Sequence, residues 1–364
     1  MIVQDVITHL EALAPLAYAE EFDNVGLLVG HKNTKVRGVL VTLDTLETVV
    51  DEAIENNCNL IVSFHPIVFN GLKKITGINY VERVVLKAIE NKIAIYAIHT
   101  ALDNAFEGVN AGLCELLKLK NKSILIPQTG TIKQLTTYVP KHAIEQLKTA
   151  LFEVGAGSIG NYDHCSFTTN GEGSFKGNEY SKPVIGKKNI LHKEAEIQLS
   201  VCFVKHLENK VLKTLFKNHP YEEVAYELVT LENTNQRIGM GMIGTLDQPM
   251  EALEFLNFIK IKLNCSAIKH SKLLDKPIQK VAVLGGAGSF AIEAAKSAGA
   301  EAFISADLKY HDFFKAEDAL LLADIGHYES EQHIKNILVA YLKKKITNFA
   351  IVLSKINTNP VKYI

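Results

Sequence analysis

Val39-Leu40-Val41-Thr42-Leu43-Asp44, Leu60-Ile61-Val62-Ser63-Phe64-His65 and Ile93-Ala94-Ile95-Tyr96-Ala97-Ile98-His99 are three apolar runs, each stopped by a carboxylate or an imidazole. Between the first two, Val49, Val50, Ala53 and Ile54 recur at helical spacing. Near-continuous apolar runs separated by helices mark parallel strands covered on both faces. The pattern returns late in the chain: Val281 to Leu284 precedes a glycine turn, Ala302 to Ile304 precedes Ser305-Ala306-Asp307, and Leu320 to Ile325 precedes Gly326-His327. The expected fold class is therefore α/β, an α/β/α core with a largely parallel sheet.

Between these two portions the texture changes. From Gly130 to Leu231 apolar and polar residues alternate, as in Gln134-Leu135-Thr136-Thr137-Tyr138-Val139, and glycines gather at 155, 157, 160, 171, 173 and 177. This reads as an inserted α+β domain of about 100 residues. The core then comprises residues 1–129 plus 232–364, and the insert residues 130–231.

Composition narrows the function. With 39 basic against 40 acidic residues the net charge is -1, so no polyanion partner is expected and nucleic-acid binding is disfavoured. The run Lys343-Lys344-Lys345 suits the end of a helix. Five scattered cysteines without a CxxC pair suggest neither a zinc knuckle nor a disulfide framework. No basic, apolar leader and no apolar run of about 18 residues is seen, so a cytoplasmic protein with no membrane association is expected.

In open parallel sheets, ligands bind beyond the carboxyl ends of the strands. The residues there are Asp44, His65, His99 to Asp103, Gly285 to Ser289, Asp307 and His327. After His327, the stripe Ile334, Ile337, Leu338, Tyr341 and Leu342 predicts a core-facing helix. Run backwards, it places Glu331 and His327 four apart on that same face. A buried carboxylate needs a partner, and a divalent metal suits both carboxylate and neutral imidazole. A solvated first turn, with Glu331 favouring the helix N-terminus, is the plainer alternative. Likewise His65 could simply end a strand, Asp103 could cap a helix, and His99 could be a satisfied core histidine. Together they supply imidazoles and carboxylates from three strand ends, enough for one metal, or for two sharing a bridging carboxylate.

The turn Gly285-Gly286-Ala287-Gly288-Ser289 opens a helix through Ala291, Ala294 and Ala295. The amides of Gly286, Gly288 and Ser289 are candidates for holding an anion, although a tight strand-to-helix turn accounts for the glycines equally well. This turn lacks the full G-x-G-x-x-G pattern, and neither a P-loop nor a G-x-S-x-G elbow occurs in the chain, which speaks against dinucleotide binding at the turn and against serine nucleophiles.

These residues resemble a known family. Glu21-Phe22-Asp23-Asn24-Val25-Gly26-Leu27 is similar to its Trp-Asp-Asn-x-Gly-Leu opening, Phe64-His65-Pro66 to its His-His-Pro motif, and His99-Thr100-Ala101-Leu102-Asp103 to its His-Thr-x-x-Asp motif. Gly286-Ala287-Gly288-Ser289, Ser305-Ala306-Asp307 and Gly326-His327-Tyr328-Glu329-Ser330-Glu331 follow in the family's order. It is the NGG-interacting-factor-like group, whose bacterial members carry the name GTP cyclohydrolase 1 type 2 homologue. Thr137-Tyr138-Val139-Pro140, Gly155 to Asp163 and His219-Pro220-Tyr221-Glu222-Glu223 resemble the insert of its longer members, which is similar to PII and CutA proteins and so ferredoxin-like. The resemblance implies a dinuclear site and a homohexamer, with metal ligands at His65, Asp103, His327 and Glu331. The family's first histidine of His-His-Pro is Phe64 here, and a phenyl ring offers a cation no lone pair. Either one metal is lost, or water or a neighbour such as His99 fills the place.

The leading expectation is a hydrolase-like protein with one or two divalent ions (zinc, iron or manganese) activating water against a nucleotide or other phosphate-containing substrate. The alternative is a non-enzymatic metal-binding regulator or scaffold, with the insert as sensor or assembly module.

Overall fold

The computed structural model describes residues 1–364, which fold as two compact units. One comprises 1–127 and 237–364, the other 128–236. Both boundaries fall within or beside the long strands Lys120–Gln128 and Asn235–Met250, so alternation alone does not mark them.

The larger unit holds two sheets where the sequence suggested one. The first runs Gly26–Val29, Ala94–Ala97, Leu60–Ser63, Val39–Thr42, Ile351–Leu353, parallel except for its first strand. Side chains alternate between its faces. Val39, Val41, Leu60, Val62, Ala94 and Tyr96 pack on one side with Val3, Val6, Leu10, Ile334, Leu338 and Leu342. Leu40, Ile61 and Ile95 pack on the other with Val49, Val50, Val84 and Ala88. The second sheet runs Lys269–His270, Leu321–Asp324, Ala302–Ala306, Ile278–Ala287, Asn235–Met250, Lys120–Gln128. It too is covered twice, by Leu113, Phe255 and Ile259 on one face and by Ile292 and Ala295 on the other. The two sheets trade elements: Ile351–Leu353 and the helix Ile334–Lys345 from the end of the chain join the first sheet, and Lys120–Gln128 joins the second.

Register decides where the ends fall. Thr42 pairs with Ser63 and Ser63 with Ala97, so Asp44, His65 and His99, each two residues further on, share one sheet edge. In the second sheet Ser305 pairs with Asp324, which brings Asp307 level with Gly326 and its neighbour His327. After Ile351–Leu353 the chain passes Glu52, which accepts from Ser354 Oγ at 2.5 Å and from the Lys355 amide at 2.7 Å. Thr358 then donates to Asp44 Oδ2 at 2.5 Å.

Residues 128–236 form a separate four-stranded antiparallel sheet in the order Phe167–Phe175, His192–Val204, Ile132–Pro140, Tyr226–Leu231. Helices Ile144–Glu153 and Glu208–Asn218 cover one face, burying Leu147, Leu151, Val211 and Leu215 against Leu135, Leu199, Val201 and Phe203. No helix of the chain is long and apolar enough to cross a membrane.

Candidate metal centre

His65 stands two residues beyond its strand. Its Nδ1–H donates to Asp44 Oδ1 at 2.8 Å, so the neutral ring presents a lone pair at Nε2. His327 repeats the device on the second sheet, with Nδ1 on Asp307 Oδ2 at 2.7 Å. Asp307 adopts a left-handed backbone, φ 56°, which short acidic side chains tolerate. Glu331, 2% exposed, meets both rings: its Oε2 lies 3.1 Å from His65 Nε2 and 3.2 Å from His327 Nε2. The ligand atoms of these three residues lie within 4.8 Å of one another. Glu331 Oε2 nevertheless has no hydrogen bond of proper geometry.

The i, i+4 pair expected from the stripe is thus present, but the helix is broken. His327–Glu331 and Ile334–Lys345 are separate helices, joined where His333 turns inward to place Nε2 3.0 Å from the Val109 carbonyl. Of the stripe, Ile334, Leu338 and Leu342 are fully buried.

Asp103 lies outside the group of three. It is half-buried, with a buried Oδ1 that has no hydrogen-bond partner, and its charged neighbours include Glu331 and His65. His99 is also outside the group, with its ring 5.2 Å from that of His65 and its Nδ1 on Asp23 Oδ1 at 2.9 Å. Asp23 is fixed in turn by the amide and hydroxyl of Thr100. Phe64 is fully buried in the apolar core, 5.5 Å edge-on from His99.

Charge follows this geometry. Burial disfavours a charged His65, but Asp44 and Glu331 outweigh it and raise the ring to about 10. His327 rises to about 9 by the same competition, burial being overcome by Glu331 and then Asp307. Burial would raise Glu331, yet the two imidazoles hold it well below the carboxylate range. Asp103 is pushed well up, by burial first and by the Glu331 charge second. The arrangement thus favours positive charge on the two imidazoles beside a charged Glu331.

The glycine turn plays a different part from the one expected. The Gly285 amide donates to Asn110 Oδ1, the Gly286 amide to Ser330 Oγ, and the Gly288 amide to the Ala306 carbonyl. The amides of Gly286 and Gly288 are therefore already engaged within the protein. Ser289 opens a short 3-10 turn, and its hydroxyl has no bond to the three. What the turn supplies is room: a Cβ at Gly286 would come 2.5 Å from Glu331 Oε1.

Sequence reasoning placed Asp44 and Asp307 at strand ends without seeing that each orients a histidine. Asp23 entered only within the opening motif Glu21 to Leu27 and without a role, since that residue lies outside every apolar run. The available signal was the pairing itself, because each imidazole at a strand end needs a carboxylate to set its tautomer.

Two doubly covered sheets meeting at a histidine–carboxylate centre define the class, an α/β protein with a group of two histidines and a glutamate that could hold a metal ion. The family model described as Duf34/NIF3 (NGG1p interacting factor 3) matches residues 1–360, and the chain belongs to that family. Among its relatives, the GTP cyclohydrolase 1 type 2 homolog of Bacillus subtilis (strain 168) is 39% identical over 99% of this chain and 98% of its own. That of Staphylococcus epidermidis is 35% identical over the full length of both. The solved Bacillus cereus protein related to NIF3 superposes with a TM-score of 0.86 at 35% identity, covering 100% of this chain and 99% of its own.

Proposed function

We propose that this chain is a metal-dependent, hydrolase-like protein in which His65, His327 and Glu331 hold a divalent cation. One observation carries the reading. Three donor atoms converge within 4.8 Å, both imidazoles already have Nδ1 committed to carboxylates, and Glu331 Oε2 lacks a proper hydrogen bond. Lone pairs facing one another in a buried place need a cation between them. The orphaned Asp103 Oδ1 and the nearby His99 supply donors for a second ion, in place of the histidine that Phe64 replaces.

When bound, the cation supplies Lewis acidity and brings the pKa of water down towards about 7. Asp44 and Asp307 hold the two rings in the ligating tautomer. Asp103 accepts a proton readily, its pKa lying well above the carboxylate range. The relatives' name supports a nucleotide or other phosphate-containing substrate. The resemblance to the family is what supports a homohexamer. In residues 128–236 the order strand, helix, strand, strand, helix, strand with an antiparallel sheet supports a ferredoxin-like insert of the PII/CutA kind. All five cysteines are free thiols, which supports a reducing, cytoplasmic setting.

The test is metal content per chain by elemental analysis, with Glu331→Ala and Phe64→His alongside. We expect at least one metal in the wild type, lost in Glu331→Ala. A count of one that rises to two in Phe64→His assigns a site reduced by Phe64, whereas two in the wild type assigns compensation by His99 or Asp103. No metal after reconstitution overturns the reading. Turnover of nucleotides and phosphoesters by loaded protein tests the activity, and light scattering tests the hexamer. Absence of turnover with metal bound favours the regulatory alternative.

A further inference from the structure

Residues 128–236 carry a cavity of their own, about 570 Å³, on the sheet face opposite the two helices. That volume lies in the range of sites for small organic ligands. Its walls include Tyr138, Phe175, Pro183, Val184 and Tyr221, a largely apolar and aromatic lining. At its base Glu196 is only 8% exposed. Oε1 of Glu196 accepts from the Tyr221 hydroxyl at 2.7 Å, but Oε2 has no hydrogen bond and no basic side chain pairs with the residue.

The histidines and Lys193 near Glu196 are engaged elsewhere. His219 accepts the Tyr221 amide at Nδ1 and donates from Nε2 to the Tyr138 carbonyl, a satisfied neutral ring that burial keeps from protonating. His192 pairs with Glu194, and Lys193 with Glu172. Lining Lys176 is exposed, while Glu222 and Glu223 add further negative charge at the rim. Glycines on the neighbouring strand make the room. A Cβ at Gly173 would lie 2.1 Å from Glu196 Oε2, and one at Gly171 would meet nothing within 4 Å.

We infer that this cavity binds a small organic cation, an amine carried on an apolar or aromatic body. The ammonium group pairs with Glu196 Oε2, and the body packs against Tyr138, Phe175 and Tyr221. A buried carboxylate without a counter-ion is costly, and a cationic ligand removes that cost where an acid or a neutral analogue does not. Flat apolar side chains beside a carboxylate suit an amine further through cation–π contact.

The experiment titrates the full chain with tryptamine, phenethylamine and hexylamine, and with indole-3-acetate as the anionic counterpart, by calorimetry and ligand-observed NMR. At least one amine should bind once per chain at about millimolar or tighter, and indole-3-acetate should not. Glu196→Gln keeps an acceptor for Tyr221 but removes the charge, and should weaken the amine about tenfold or more. Gly171→Val points a side chain into open space and should block the amine while leaving the thermal midpoint near that of the wild type. Binding of none of the amines, equal binding of acid and amine, or amine binding unchanged in both variants overturns the assignment. Metal content does not enter these readouts, so they stand apart from the centre at His65.

Discussion

With no cation between them, His65 and His327 keep protons of their own, and this has a visible consequence. Both are raised above the ordinary imidazole value of 6.5, to about 10 and about 9. A raised folded-state pKa contributes stability that is complete below about pH 6.5 and is lost as pH climbs through the folded values. The metal-free protein should therefore lose thermal stability between about pH 7 and pH 10, and a saturating divalent ion should flatten that slope. A midpoint indifferent to pH in the metal-free protein would sink this account. Asp307→Asn leaves His327 in place but removes the acceptor that sets its tautomer. Metal affinity should fall by about 10- to 100-fold, read by competition with a chromophoric chelator. At this scale the sequence pointed to His65 and His327 through their places beyond apolar runs, and to Glu331 through the helical stripe that follows it. It did not show that Asp103 and His99 stand outside the tight group, because that depends on side-chain reach across two sheets.

Elements hold these residues at working distance. The turn at Gly286 has φ 71° and passes so close to Glu331 that a methyl group would strike its carboxylate. Gly286→Ala combines backbone strain with that clash and should cost about 1–3 kcal/mol while lowering metal content, measured by denaturant unfolding and elemental analysis together. In helix Ile334–Lys345, Leu338 is fully buried against the first sheet, and Leu338→Ala should cost about 2–5 kcal/mol in the same unfolding assay. The periodic stripe announced this helix, since burial of one face is what periodicity reports. The break at Gln332 and His333 left no trace in it, because His333 is held by the carbonyl of Val109, more than two hundred residues away in sequence.

At the scale of the molecule, buried runs revealed strands and their flanking helices but not their division between two sheets. Pairing between distant runs leaves no local pattern. The change in texture near Gly130 and Leu231 was legible because one open sheet face imposes alternation that a doubly covered sheet does not. Residues 128–236 have a core of their own in Leu135, Leu147, Leu199, Phe203 and Leu215. Expressed alone, they should unfold cooperatively by circular dichroism, and a featureless, non-cooperative melt would refute the assignment of an independent core.

The two histidines and the glutamate that converge come from opposite ends of the chain, and the strand Val39–Thr42 takes Ile351–Leu353 as its neighbour. A nascent polypeptide that has emerged only through the first sheet's early strands offers His65 alone. Ordering so distant a pairing is slow compared with forming a hairpin or a helix. The group of three is therefore completed late in the life of the chain, only once His327 and Glu331 have left the ribosome.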